Sequence, residues 1–132
     1  MQRPLNSAGH AQARALARTL EKFAPGRLLS SPYTRCVQTL EPLGVLLDLE
    51  VEPVQELAEG HGCEALELLR SLAESDVALC SHGDVIPEVL QALAVDDGLD
   101  LGPRPRQAKG STWVLESAGG RFISAAYLPA PA

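Results

Sequence analysis

Apolar and polar positions along this chain fall into two recurring patterns, short unbroken apolar runs and longer segments with a helical repeat. Val77, Ala78, Leu79 and Cys80 form a continuous apolar run of strand length, as expected for a parallel strand covered on both faces. A tight Ser81-His82-Gly83 break follows. Beyond it Val85, Ile86, Val89, Leu90 and Leu93 fall on one helical face, with Pro87 early enough to be tolerated. Residues 76–93 therefore read as a buried strand feeding a helix. Residues 27–39, RLLSSPYTRCVQT, repeat the design. Here Leu28 and Leu29 end in Ser30-Ser31, Ser31 is the expected N-cap and Pro32 the expected first-turn residue of a helix. That helix turns Cys36, Val37, Leu40 and Leu43 inward, is disturbed at Pro42 and ends near Gly44 or a turn later.

The remaining segments complete an α/β pattern. Ala13, Leu16, Ala17, Leu20 and Phe23 make an apolar stripe behind an N-cap at Asn6 or Ser7, and Pro25-Gly26 stops that helix. Residues 49–54, LEVEPV, alternate as a short strand, with Pro53 marking an edge or a strand end. Residues 55–62, QELAEGHG, are a polar, glycine-flanked loop in which His61 reads as a turn residue, and 63–75 a covering helix with Leu66, Leu69, Leu72 and Ala73 inward. Residues 96–109, rich in Asp, Gly, Pro and Arg, read as a surface excursion. Two strands at 111–116 and 121–128 then form a hairpin across 117–120, with Trp113 and Tyr127 as packing residues.

Charge and composition narrow the function classes. A formal charge of −6 argues against a nucleic-acid or anionic-membrane surface, so any anion site must be a local pocket. The chain's 132 residues suit one domain spanning 1–132. A mean hydropathy of +0.02 is that of a soluble globular protein. No apolar run is long enough to span a bilayer, and nothing at the amino end resembles a signal peptide. Cys36, Cys63 and Cys80 are an odd set without CxxC spacing, which points away from disulfides and zinc and toward a reducing cytoplasm. Arg in preference to Lys, with abundant Ala and Leu, hints at a GC-rich bacterial genome.

Two side chains stand out as chemistry. His82 lies at the carboxyl end of a strand and the mouth of a helix, where open α/β sheets bind ligands and free N–H groups attract anions. Taken alone, it reads more readily as a turn cap. Arg35 lies in or just after a first helical turn, at the positive end of the dipole, a placement that costs up to about 1 kcal/mol unless an anion offsets it. A solvated surface arginine is the equal alternative. Both sit at the same sheet edge, compatible with one phosphate pocket, and the planar fork of Arg suits two phosphate oxygens at once.

The segments RPLNSAGHAQARALARTL, LLSSPYTRCVQTL and VALCSHGDVI, in this order, resemble the histidine phosphatase superfamily, the phosphoglycerate mutase-like fold, and within it the SixA-like branch. The tail KGSTWVLESAGGRFISAAYLP fits a C-terminal hairpin of bacterial members. The resemblance implies a three-layer αβα fold with a mostly parallel sheet. It implies phosphomonoester or phosphohistidine hydrolysis through a phosphohistidine, with two Arg and a second His clamping the phosphoryl group and no metal or cofactor. Carried over residue by residue, Arg35 is the second-motif Arg and His82 the second His, with Gly83 and Asp84 opening the adjacent helix. In relatives the 55–62 loop lies over the active-site side and supplies an acid to the leaving group; Glu59 fits that spacing, Glu56 is the second choice, and sequence leaves the solvated-loop reading open. Arg3 lies in a loop near the family's pocket mouth and is a candidate substrate contact, as are Arg104 and Arg106 at its entrance, each against the default of solvated charge. His10 lacks the nucleophile's context.

The departure is as informative as the match. The family's nucleophile is the His of an Arg-His-Gly motif ending the first strand, and this chain contains no Arg-His-Gly. The first expectation is an N-terminally truncated phosphatase whose missing first strand leaves Val77 to Cys80 and Leu28 to Leu29 with unpaired backbone on one side. The second is a non-catalytic phosphate-binding or interaction module, with a partner chain or rearranged strand filling the gap. A hydrolase using Ser81 or Asp84 with His82 ranks last, because adjacent residues rarely meet in a triad. The expected partner is a phosphorylated small molecule or a phosphohistidine protein, and an exposed sheet edge allows oligomers.

Overall fold

The computed structural model describes residues 4–102, 108 and 110–131. Helix α1 spans Ser7–Leu20 and is followed by a single 3₁₀ turn, Glu21–Phe23. Strand β1 is Arg27–Ser30, helix α2 Thr34–Leu47 and strand β2 Val51–Pro53. Helix α3 is Gly62–Ser71, strand β3 Val77–Cys80 and helix α4 Val85–Asp97. Strands β4, Thr112–Ala118, and β5, Arg121–Leu128, close the order. The fold is the α/β class expected from the sequence: a parallel sheet in the order β2-β1-β3, with a separate antiparallel hairpin, β4-β5.

Alternation along the strands sorts their side chains between two cores. Leu28, Ala78 and Cys80 face a cluster with Ala17 of α1 and Leu40 and Leu43 of α2. Leu29 and Leu79 face the opposite cluster, with Ala65 of α3, Val85, Val89 and Leu93 of α4 and Phe122 of β5. Helices therefore cover both faces. Burying Leu28, Leu29, Leu43 and Leu93 almost completely contributes roughly 1.5–3 kcal/mol each before conformational entropy is counted.

The hydrogen bonding corrects one expectation. Strand β1 is paired on both sides, Leu28 opposite Val51 and Ala78, so Leu28 and Leu29 have no unpaired edge. Strand β3 pairs with β1 alone among the described residues, and all four of its residues are partly exposed. Of the two strands expected to be left open, β3 alone is, and among the described residues β2 forms the sheet's other edge. Apolar residues at an unpaired, half-covered edge are what a neighbouring strand would cover.

Local chemistry accounts for the boundaries. Asn6 caps α1, its side-chain oxygen accepting the Gly9 N–H at 2.8 Å. That helix ends before Pro25 because Ala24 turns into the left-handed region at φ 46°, which leaves Phe23 49 % exposed instead of inward. The N-cap of α2 is Tyr33, not Ser31, and Pro32 lies outside the helix. Ser31 still belongs to the sheet, its N–H donating to the Cys80 carbonyl at 2.9 Å, so the chain leaves β1 extended and coils later. Pro42 is accommodated within α2, which continues past Gly44 to Leu47. Gly44 instead admits the returning chain: the Leu49 N–H bonds its carbonyl at 2.9 Å, and a Cβ on Gly44 would lie 2.6 Å from the Leu49 oxygen. Helix α3 stops at Ser71, short of 75, with Ala73 still buried.

The hairpin turns on Gly119 and Gly120, both at positive φ, the two-residue connection whose twist matches its strands. Trp113 and Tyr127 pair across it with ring centroids 5.3 Å apart. Polar ties dock the hairpin on the turn after α3 and on the end of α4. Ser117 Oγ donates to the Ala73 carbonyl, the Gly120 N–H to Glu74 at 2.8 Å and the Phe122 N–H to Asp97 at 2.9 Å.

Candidate active site

The register of β1 against β3 sets Ser30 opposite Cys80, so the carboxyl ends of two neighbouring parallel strands finish together. Each strand then releases a short turn into a helix, residues 31–33 before α2 and residues 81–84 before α4. Ligands in open parallel sheets bind beyond these strand ends. His82 projects from the second turn onto the first. Its Nε2 lies 2.7 Å from Ser31 Oγ and 3.9 Å from Cys36 Sγ, and its ring meets Tyr33 edge-on with centroids 4.6 Å apart. Cys36 Sγ also lies 3.8 Å from the Ser81 carbonyl oxygen. The two βα units predicted from sequence therefore meet at one point.

Arg35 is the second residue of α2, directly before Cys36. Its side chain is exposed and forms no ion pair with a described residue. A cation there faces the unbonded N–H groups of the first turn rather than offsetting them. Its charge is felt at Cys36. The Cys36 thiol is drawn below its ordinary range, chiefly by the neighbouring Cys80 thiol, with the Ser31 hydroxyl and the Arg35 guanidinium adding to it against the opposing effect of burial. Cys80 is pushed well above its ordinary range by Cys36 and by burial.

The loop carrying Glu59 is tied to the His82 turn from both sides. Ser81 Oγ donates to the Leu57 carbonyl at 2.6 Å, and the Gly60 N–H donates to Asp84 Oδ2 at 2.9 Å. Asp84, the residue preceding α4, therefore spends its carboxylate on the loop rather than on a helix cap. Glu59 lies between the two tethers, and both it and Glu56 are exposed. Gly83 is exposed in the same turn. His61 precedes α3, with Nδ1 3.6 Å from Glu64, and His10 sits in α1. Arg3, Arg104 and Arg106 lie outside the described residues. Among the described residues no group of three or more His, Cys, Asp and Glu side chains is placed to hold a metal ion, and no helix is long and apolar enough to cross a membrane.

Sequence reasoning singled out Arg35 and His82 but missed what holds His82. In the sequence Ser31 reads as a cap, and Tyr33 carries no signal. The pointer was available in the doubled serine: Ser30 and Ser31 end an apolar strand, and both are fully buried. A buried hydroxyl must find a partner. Ser30 donates to the Ser31 carbonyl at 2.7 Å, whereas Ser31 reaches across to His82.

Comparison with known proteins leads to the same place. Residues 2–65 match the model of the histidine phosphatase superfamily, branch 1, a stretch that contains Arg35 and Glu59. Over 98 % of its length the chain is 33 % identical to an 8-oxo-(d)GTP phosphatase of Mycolicibacterium smegmatis, of which it spans 42 %. Among solved structures it is similar to a protein assigned as the phosphohistidine phosphatase SixA of Agrobacterium tumefaciens, with a TM-score of 0.63 and 26 % identity over 73 % of this chain and 65 % of that one. A mycobacterial glucosyl-3-phosphoglycerate phosphatase solved with VO3 superposes with a TM-score of 0.63 at 21 % identity, over 72 % of this chain and 71 % of that one, a likeness of fold. The paired βα units, the SSPYTRCVQT and SHGD segments that form them and these relatives agree: the chain belongs to the histidine phosphatase superfamily.

Proposed function

We propose that this chain carries the anion-clamping part of a phosphatase site, in which Arg35 and His82 hold the phosphoryl group of a phosphomonoester or phosphohistidine. The observation that carries the reading is the 2.7 Å contact between Ser31 and His82, which brings the His82 turn against the start of the helix bearing Arg35. Phosphoryl transfer needs little covalent chemistry from a protein beyond the nucleophile. Positioning and compensation of charge on the equatorial oxygens do most of the work, and a guanidinium with an imidazole N–H supplies both. Gly83, in the turn beside His82, and Arg3 are the further proposed contacts.

The nucleophile belongs to an Arg-His-Gly strand paired along the open edge of β3, which supplies the backbone partners that edge lacks and ends beside Ser31 and His82. In the first step a histidine nitrogen of that strand attacks phosphorus, and the leaving oxygen takes a proton from Glu59. In the second, water attacks the phosphohistidine and gives its proton to the Glu59 carboxylate, releasing phosphate and restoring both the imidazole and the acid. The relatives' names span a nucleotide, a sugar phosphate and a phosphohistidine, and the same clamp serves each.

The absence of Arg-His-Gly from these 132 residues favours a second reading, a phosphate-binding or interaction module without catalysis. Reading the coding DNA upstream, in frame, separates the two. The phosphatase reading expects an apolar strand ending in Arg-His-Gly, and the protein that includes it hydrolyses a generic phosphomonoester while this chain alone does so negligibly. A stop codon immediately upstream leaves the binding module. Robust hydrolysis by this chain that survives His82→Ala places the chemistry elsewhere.

A further inference from the structure

The Ser31–His82 pair also bears on which nitrogen of the imidazole carries the proton. Ser31 Oγ accepts the Tyr33 N–H at 3.3 Å, so one lone pair is engaged and its single hydrogen must find an acceptor. The neighbouring Ser31 carbonyl is already taken by the Ser30 hydroxyl at 2.7 Å. Among the described residues, two acceptors remain beside Ser31. One is His82 Nε2 at 2.7 Å, the other the Cys36 sulfur, which lies 3.9 Å from the same Nε2. An imidazole nitrogen is much the better acceptor of the two, since sulfur accepts hydrogen bonds weakly. His82 Nδ1, by contrast, has no hydrogen-bond partner among the described residues.

We propose that Ser31 is a positioning residue: its hydroxyl donates to His82 Nε2 and holds the neutral ring as the Nδ1–H tautomer, so that Nδ1 presents an N–H to a bound oxyanion. The consequence for phosphate rests on the phosphatase reading above; the tautomer itself does not. Three features fix the ring. Ser31 is fully buried and held by the β1–β3 ladder through its N–H to the Cys80 carbonyl at 2.9 Å. The Tyr33 ring closes one side of the imidazole at 4.6 Å. The His82 carbonyl accepts the Val85 and Ile86 N–H groups, both at 3.1 Å, which anchors the backbone behind the ring to the first turn of α4. A neutral ring held this way donates without needing a proton from solvent, as in metal sites where a partner on one nitrogen fixes what the other does.

The test is the long-range ¹H–¹⁵N spectrum of the histidine rings of the full chain, with His82 assigned by its loss in His82→Gln. With the ring neutral, the wild-type spectrum is expected to show Nε2 unprotonated and Nδ1 protonated. Ser31→Ala moves the ring toward the Nε2–H form that free histidine favours, and Ser31→Thr, which keeps a hydroxyl, restores the wild-type pattern. Ser31→Ala also weakens vanadate binding about five-fold, the loss of one ordinary hydrogen bond. A wild-type ring in the Nε2–H form overturns the assignment, as does an unchanged tautomer in folded Ser31→Ala. The wild-type spectrum decides the matter even if neither variant folds. Absence of vanadate binding with the expected tautomer counts against the phosphatase reading and leaves the Ser31 assignment standing.

Discussion

A guanidinium at the second position of a helix stands where unbonded N–H groups already concentrate positive charge, and a helix built for stability alone favours Asp or Glu there. Arg35 occupies that position in α2 without an ion pair to any described residue. The two explanations of such a residue predict opposite balances. If Arg35 is surface decoration, replacing it changes stability slightly and binding not at all. If it is an anion ligand, Arg35→Ala leaves thermal stability unchanged or raised by a few tenths of a kcal/mol, while vanadate affinity falls about ten- to hundred-fold, the worth of a charged hydrogen bond. Calorimetric titration beside a melting curve measures both. Unchanged affinity removes Arg35 from the pocket. Arg35 and His82 were legible in the sequence as candidates because each is a polar residue at a βα junction. Ser31 was not, because its partner is decided by the register of β1 on β3, which no local pattern encodes.

Among the secondary-structure elements, the most consequential contact outside the site is the carboxylate of Asp97 at the end of α4. It accepts Arg70 of α3 at 3.1 and 3.2 Å and the Phe122 N–H of β5 at 2.9 Å, so one side chain joins two helices to the hairpin. These bonds hold the Asp97 carboxyl below the usual range, the Arg70 guanidinium foremost and the Phe122 N–H next. A carboxylate whose folded value is depressed contributes stability that is complete above its unfolded value, about pH 3.9, and is lost as pH falls through the folded value. Asp97→Asn is therefore expected to cost about 1–2 kcal/mol at neutral pH and progressively less in acid. Urea unfolding at neutral pH and in acid measures it; a cost equally large below the folded value contradicts the account. The hairpin itself was legible, since Gly119-Gly120 between alternating runs is a strong local signal. Its docking was not, because it depends on a helix end that lies more than 20 residues away in sequence. The start of α2 differs from the expectation for a related reason: Ser31 and Pro32 have the local preferences of a helix start, and pairing to Cys80 overrides them.

At the scale of the whole molecule, the two cores and the open edge belong to one argument. Leu28 and Leu29 of β1 are buried on opposite faces and that strand is paired on both sides, whereas β3, apolar throughout, is partly exposed and paired on one. A sheet that ends on its own candidate active-site strand is unusual unless something covers that edge. The strand proposed to supply the nucleophile would cover it and complete the site in the same stroke. The proposed clamp does not depend on that strand, because Ser31, Arg35 and His82 sit at the ends of β1 and β3 and in the first turn of α2. The most direct measurement is an NMR titration of the ¹⁵N-labelled chain with inorganic phosphate, following the Arg35 side-chain N–H and the His82 ring together. The account predicts that both resonances move and saturate with a single dissociation constant. Movement of one without the other, or of the two with different constants, would contradict a shared anion.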